Sequence, residues 1–195
     1  MEAKAAEKTK RELILEAAMV VFAREGFYKA KVEDIAIEAG VGKGTVYEYF
    51  SSKAELFKEM FKEGMEKFIR TLHGEVIQAS TAREKLKKIA YLHYDFIMKN
   101  RDLAKITMES QNQCDDDFRK WLFGFQNQKM DFIKSIIEEG IAKGEFRQVD
   151  SRAASLAFTG AMGSLFAPVT FGKLDIKPEE IIEPILKVLF EGMSK

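Results

Sequence analysis

This chain of 195 residues has one cysteine, two histidines and three prolines. The lone Cys114 excludes an internal disulfide and suits a reducing cytoplasm. Two histidines and one cysteine leave few candidates for nucleophilic or metal chemistry. No HExxH, GxSxG or CxxC occurs, and neither His73 nor His93 has a glutamate three residues before it, as a di-iron bundle requires. The reading is therefore no enzyme, no catalytic residue, no metal and no cofactor. No apolar run approaches the roughly 20 residues needed to span a bilayer. The segment MEAKAAEKTKRE has no apolar core of the signal-peptide kind. A cytoplasmic protein with no membrane partner is expected.

An excess of charge is also missing. Thirty-one Lys and Arg balance 31 Asp and Glu, and residues 1–50 hold eight basic against nine acidic side chains. Polyanion binding draws on phosphate neutralisation. Such binding here requires the basic groups to cluster on one face, with the acids turned away.

The scarcity of proline points to helices. Pro168, Pro178 and Pro184 leave residues 1–167 free to run as long helices. Strand-like alternation is almost absent, and 46% apolar with 32% charged residues is ordinary for a folded chain. The fold class is all-α. Thr9 to Glu12 reads as a capping box opening helix one, whose apolar set is Ile14, Ala17, Ala18, Val21 and Phe22. Gly26 ends it. Residues 32–39 form helix two, Gly40 the turn, and residues 43–50 helix three. Ser51 or Ser52 caps helix four, which runs to about residue 78. Further helices are read over residues 81–99, 103–108, 116–142, 151–171 and 178–193, with Gly144 stopping the long span 116–142. The domain division is set at 1–52 and 53–195, with helix four joining the two parts.

Residues 32–50 spell a short helix, a glycine turn and a second short helix ending in aromatics: the layout of a helix-turn-helix, whose second helix enters the DNA major groove. Gly42 suits the N-cap of that helix and leaves N–H groups for a phosphate. Lys43 reaches a phosphate or a guanine edge. Gly44 lets the backbone approach, and Thr45 offers a methyl or a hydroxyl. Tyr47 and Tyr49 present rigid rings with hydroxyls at phosphate distance. Lys53 stands to clamp the DNA backbone beyond the groove. A phosphate-binding P-loop does not fit, since Ile37 and Gly44 occupy the positions that need Gly and Ser or Thr.

On these residues the segment 14–61 resembles the DNA-binding domain of the TetR family of bacterial transcriptional repressors. The resemblance implies DNA contacts at Lys43, Gly44, Tyr47, Tyr49 and Lys53, with Val46 and Phe50 on the buried side. Three positions depart from the family pattern. Lys31, after Ala30, stands where a hydroxyl usually caps helix two, and contacts phosphate instead. Gly42 replaces Ser. Glu48 either accepts from a cytosine amino group or points away.

The resemblance further implies that the rest of the chain senses a small molecule and dimerises. Sixteen Phe and nine Met suit a lipophilic effector, a fatty acyl group or a greasy drug, although most of them serve an aromatic-rich core. Helices four to eight enclose the ligand in this family, which implies Phe96, Met108, Trp121, Phe125, Phe158, Met162 and Phe166 as its lining. His93, on an apolar face, reads as a satisfied core histidine, and Asp115 to Asp117 as a helix start. The stripe Ile182, Ile185, Leu186, Leu189, Phe190 and Met193 on the last helix, with the small residues Ala157, Gly160, Ala161, Gly163 and Ser164 on the one before it, reads as a homodimer interface. A two-fold operator demands such a dimer. The expected function is a ligand-released repressor that binds a palindromic DNA operator.

Overall fold

The structure, a computed structural model, describes residues 8–101, 116–165 and 177–193. Eight helices and no strand occur among them: α1 Lys10–Lys29, α2 Val32–Glu38, α3 Lys43–Tyr49, α4 Lys53–Val76, α5 Ala82–Lys99, α6 Asp116–Ala142, α7 Ser151–Ser164 and α8 Pro178–Met193. The helix expected at 103–108, the end of the span 151–171, Asp115, Met108 and Phe166 lie outside the described residues. So does the side chain of Met193.

The chain forms two compact units, and the division falls inside α4, between Lys67 and Phe68. The sequence places it earlier, between residues 52 and 53. The first unit holds α1, α2, α3 and the beginning of α4. Thr9 caps α1 with its hydroxyl on the Glu12 N–H, while Glu12 returns to the Thr9 N–H at 2.8 Å, so two orphan donors are satisfied reciprocally. The helix breaks at Gly26, whose φ of 78° only glycine adopts without strain, and continues for one more turn to Lys29. Gly40, at φ 67°, makes the tight link after α2. Ile14, Ala18, Val21, Phe22, Ile35, Val46 and Leu56 are almost wholly buried and weld the four helices into one core. Phe22, Phe27 and Phe57 pack edge-on or stacked at its centre, with centroids 5.2–5.8 Å apart.

The second unit contains the end of α4 with α5, α6, α7 and α8. Thr81 and Glu84 form a second capping box, which the sequence reading passes over. The N-terminus of α5 is held further by Glu145, whose Oε2 accepts from the Ala82 N–H at 2.8 Å. Gly144, at φ 72°, turns the chain out of α6. The two residues after it donate back to the Gly140 carbonyl, satisfying one of the helix-end acceptors. The core runs through Leu72, Leu86, Ile97, Ile133, Ile137, Phe146, Phe158, Ile182 and Leu186. No helix among the described residues is long and apolar enough to cross a membrane.

Candidate functional site

The amino-acid order of α3 fixes two faces. Val46 and Phe50 sink into the core at 1% and 3% exposure, so the helix cannot roll. That leaves Gly42, Lys43, Gly44, Tyr47, Glu48 and Tyr49 in solvent, with Thr45 half-buried. Tyr47 and Tyr49 each keep 45% of their surface exposed, unusual for rings on a helix whose other side is packed. Gly42 is the N-cap and supplies no side-chain bond, and Lys31 likewise caps α2 without one. Lys31 is exposed.

Two polar expectations change. The acids are not all turned away: Glu33 of α2 is ion-paired with Lys43. The hydrogen bond from Lys43 holds the Glu33 carboxyl below its ordinary range, and Glu33 in turn raises the Lys43 ammonium above its own. Lys43 therefore stays charged but already has an acid partner. Its Nζ also lies 5.8 Å from the Tyr47 ring centroid, so lysine, tyrosine and glutamate form one surface group. Lys53 is tied inward rather than reaching out as a phosphate clamp. Its Nζ donates to the carbonyls of Ala30 and Tyr28 at 3.0 and 3.3 Å and lies 4.8 Å from the Phe27 ring centroid. Burial lowers its pKa. Lys53 thus closes the carbonyl end of α1 onto the start of α4, where Ser52 caps the Glu55 N–H at 3.1 Å.

In the second unit Phe158 and Met162 are buried members of the main core, and Phe96 packs against that core. Phe96 meets Phe68 in a tilted ring pair with centroids 4.4 Å apart. Trp121 and Phe125 gather elsewhere, in a stacked row with Phe118 at spacings of 5.7 and 5.5 Å. His93 departs from the sequence reading. It is not a satisfied core histidine, because its Nε2 is sealed from solvent with no hydrogen-bond partner. Burial, and secondarily the charge of Lys129, pushes its pKa down to about 4, so the ring is neutral at pH 7. No group of three or more His, Cys, Asp or Glu among the described residues is arranged to hold a metal.

The final helix also differs from the stripe read in the sequence. Ile182, Leu186 and Phe190 point into their own subunit's core, because a helix this close to α5 spends one face on it. The solvent face of the last two helices carries Leu156, Ala157, Gly160 and Gly163 on α7, and Val188 on α8. Leu156 and Val188 are 53% and 72% exposed. Beside them an open groove of about 620 Å³ is lined by Arg147, Val149, Ala153, Ala157, Val188 and Leu189, among others.

Two family models match the chain. Residues 14–60 match the bacterial regulatory proteins of the tetR family, and residues 79–167 match the tetracyclin repressor-like C-terminal domain. The chain belongs to the TetR family. This TetR-family chain is 30% identical, over 150 residues, to the fatty acid metabolism regulator protein of Bacillus subtilis (strain 168), covering 76% of the chain and 77% of that relative. Among solved structures it is similar to the transcriptional regulator FadR from Bacillus subtilis in complex with stearoyl-CoA. There the TM-score is 0.78 at 27% identity, over 93% of this chain and 98% of the other. The fatty acid degradation regulator FadR from Bacillus halodurans shares the fold, with a TM-score of 0.77 at 24% identity over 93% and 98% of the two chains. The family makes the chain a helix-turn-helix DNA-binding transcriptional regulator responsive to a ligand, and not an enzyme.

Proposed function

We propose that the chain is a cytoplasmic repressor that binds a palindromic operator as a homodimer and is released by a fatty-acyl effector. Residues 1–52 read the operator, while residues 53–195 hold the effector and dimerise. The observation that carries the reading is the outer face of α3. Two half-exposed tyrosines and a lysine stand on a helix locked from behind by Val46 and Phe50. Lys31, Gly42, Lys43, Gly44, Thr45, Tyr47 and Tyr49 make the DNA contacts, and Lys53 positions them by holding α1 against α4.

The effector class follows the Bacillus subtilis structure with stearoyl-CoA, at 27% identity across nearly the whole chain. Phe96, Phe158 and Met162, which share one core, together with Trp121 and Phe125, stacked beside Phe118, are the described part of its apolar lining. Dimerisation through α7 and α8 uses the exposed Leu156, Ala157, Gly160 and Val188 face, whose small residues let two helices approach closely. The effector acts only through its differential affinity for the DNA-bound and released states. Chain continuity through α4, whose residues belong to both units, carries that preference to α3.

The test is capture of genomic fragments by the purified protein, followed by titration of the recovered palindrome with stearoyl-CoA. Dissociation at micromolar ligand supports the reading. Undiminished binding under saturating acyl-CoAs of every chain length would remove the effector class and leave the DNA-binding role standing.

A further inference from the structure

Inside the second unit, two polar side chains lack partners. His93, on α5, lies beside the Phe68 ring with centroids 6.4 Å apart, and its Nε2 is buried without a partner. Buried polar atoms are nearly always hydrogen-bonded, so an orphan signals a missing occupant or a functional need. Lys129, on α6, is half-buried, and that desolvation lowers its pKa. Its neighbours along the helix, Lys120 and Lys134, pair with Asp117 and Glu138, whereas no acid answers Lys129 among the described residues.

The two groups belong to one place. The ion pair of Lys85 with Glu139 at 2.6 Å, together with Glu145 on the first turn of α5, fixes α5 and α6 side by side and antiparallel. Going roughly two turns along α5 from Lys85, and roughly three back along α6 from Glu139, brings His93 and Lys129 alongside each other. The Lys129 charge is close enough to act on the His93 ring. Aromatic rings lie close by: Phe68 beside His93 and packed with Phe96, and Phe132, one turn along α6 from Lys129, meeting His73 with centroids 4.3 Å apart. The Lys129 ammonium, and the His93 ring in its Nε2–H tautomer, offer two donors to one acceptor. An acceptor bearing negative charge would satisfy both at once.

We propose that His93 and Lys129 form the polar end of the effector chamber and receive an anionic group carried on an apolar chain, either a fatty-acid carboxylate or a phosphate of an acyl-CoA. The inference rests on the acyl-effector reading above. Calorimetry of the full chain with oleate, oleoyl-CoA and methyl oleate tests it. The wild type binds at least one anionic probe about tenfold more tightly than the uncharged ester. Lys129→Met and His93→Phe each lose about tenfold for that probe and none for methyl oleate, while still binding operator. Which anion shows the loss tells carboxylate from phosphate.

A readout free of mutation accompanies it. In the unmutated protein, the ¹⁵N signal of His93 Nε2 moves with the anionic probe and stays put with methyl oleate. Unchanged anion affinity in both variants, or a shift confined to His73, overturns the subsite while the acyl-effector reading stands. Failure of the wild type to bind any of the three probes overturns both.

Discussion

The two units treat their polar atoms in opposite ways. In the first, no buried side-chain nitrogen or oxygen among the described residues lacks a partner, and the chemistry stands on the outside of α3. In the second, His93 Nε2 and Thr159 Oγ1 are buried and unanswered. A surface that reads DNA needs a rigid, fully satisfied core behind it, since its partner comes from solvent. An interior that senses a ligand does better with its polar groups held in reserve, because the ligand completes them.

That contrast can be broken most forcefully from within the second unit. A Cβ at Gly140 would meet the Phe146 ring at 2.4 Å and Ala82 Cβ at 2.8 Å, and Phe146 is itself 1% exposed with nowhere to turn. Gly140→Ala should cost about 3 kcal/mol or more of stability by chemical denaturation, through overpacking.

The converse change is Tyr47→Ala, which removes an exposed ring. Operator affinity should fall by about 30-fold or more, with stability unchanged within ~0.5 kcal/mol. Wild-type affinity in a gel-shift titration would sink the assigned docking face.

The third prediction uses pH. The folded pKa of His93 lies below its unfolded value of 6.5, at about 4, so the unfolded state takes up the proton first. Stability from this group is complete above pH 6.5 and drains away as pH falls toward 4. The loss between pH 7 and 5 should be about 1–2 kcal/mol. Carboxylates such as Glu139 and Glu183, held low by their lysine partners, lose their contributions only below about pH 4.5. Replacing His93 by Phe should flatten the curve between pH 6.5 and 5. A slope that survives the replacement would place its origin elsewhere.

The smallest effect concerns Glu33. Because its carboxylate occupies Lys43, Glu33→Gln should raise operator affinity a few-fold, about 2–5-fold at low salt, and fade as ionic strength rises. A fall in affinity would mean that Glu33 orients Lys43 instead of competing for it.

Helix ends were legible because they rest on local chemistry. Thr9 with Glu12, Gly26, Gly40 and Gly144 each do what residue type and position require, three of them through positive φ. The inward side of α3 was legible through the family resemblance, which puts Val46 and Phe50 on the buried side, where both lie. What the chain order hides is tertiary choice. Periodicity marks Ile182, Leu186 and Phe190 as a stripe without saying whether the stripe meets its own subunit or another. Nor does composition tell which long side chain finds which partner. Lys53 turning onto the Ala30 carbonyl, Glu33 reaching Lys43, and His93 losing its acceptor all depend on residues brought together by folding. Lys129 carried no signal of its own, for a lysine within an amphipathic helix ordinarily reads as solvated.

The most direct measurement is selection of bound fragments from a genomic library by the wild type and by Tyr47→Ala in parallel. The wild type should enrich a palindrome whose half-sites are spaced by one helical turn of DNA or a multiple of it, and the variant should enrich nothing. Equal recovery by both proteins, or none by the wild type with or without acyl-CoA, would contradict the assignment of α3 as the reading element.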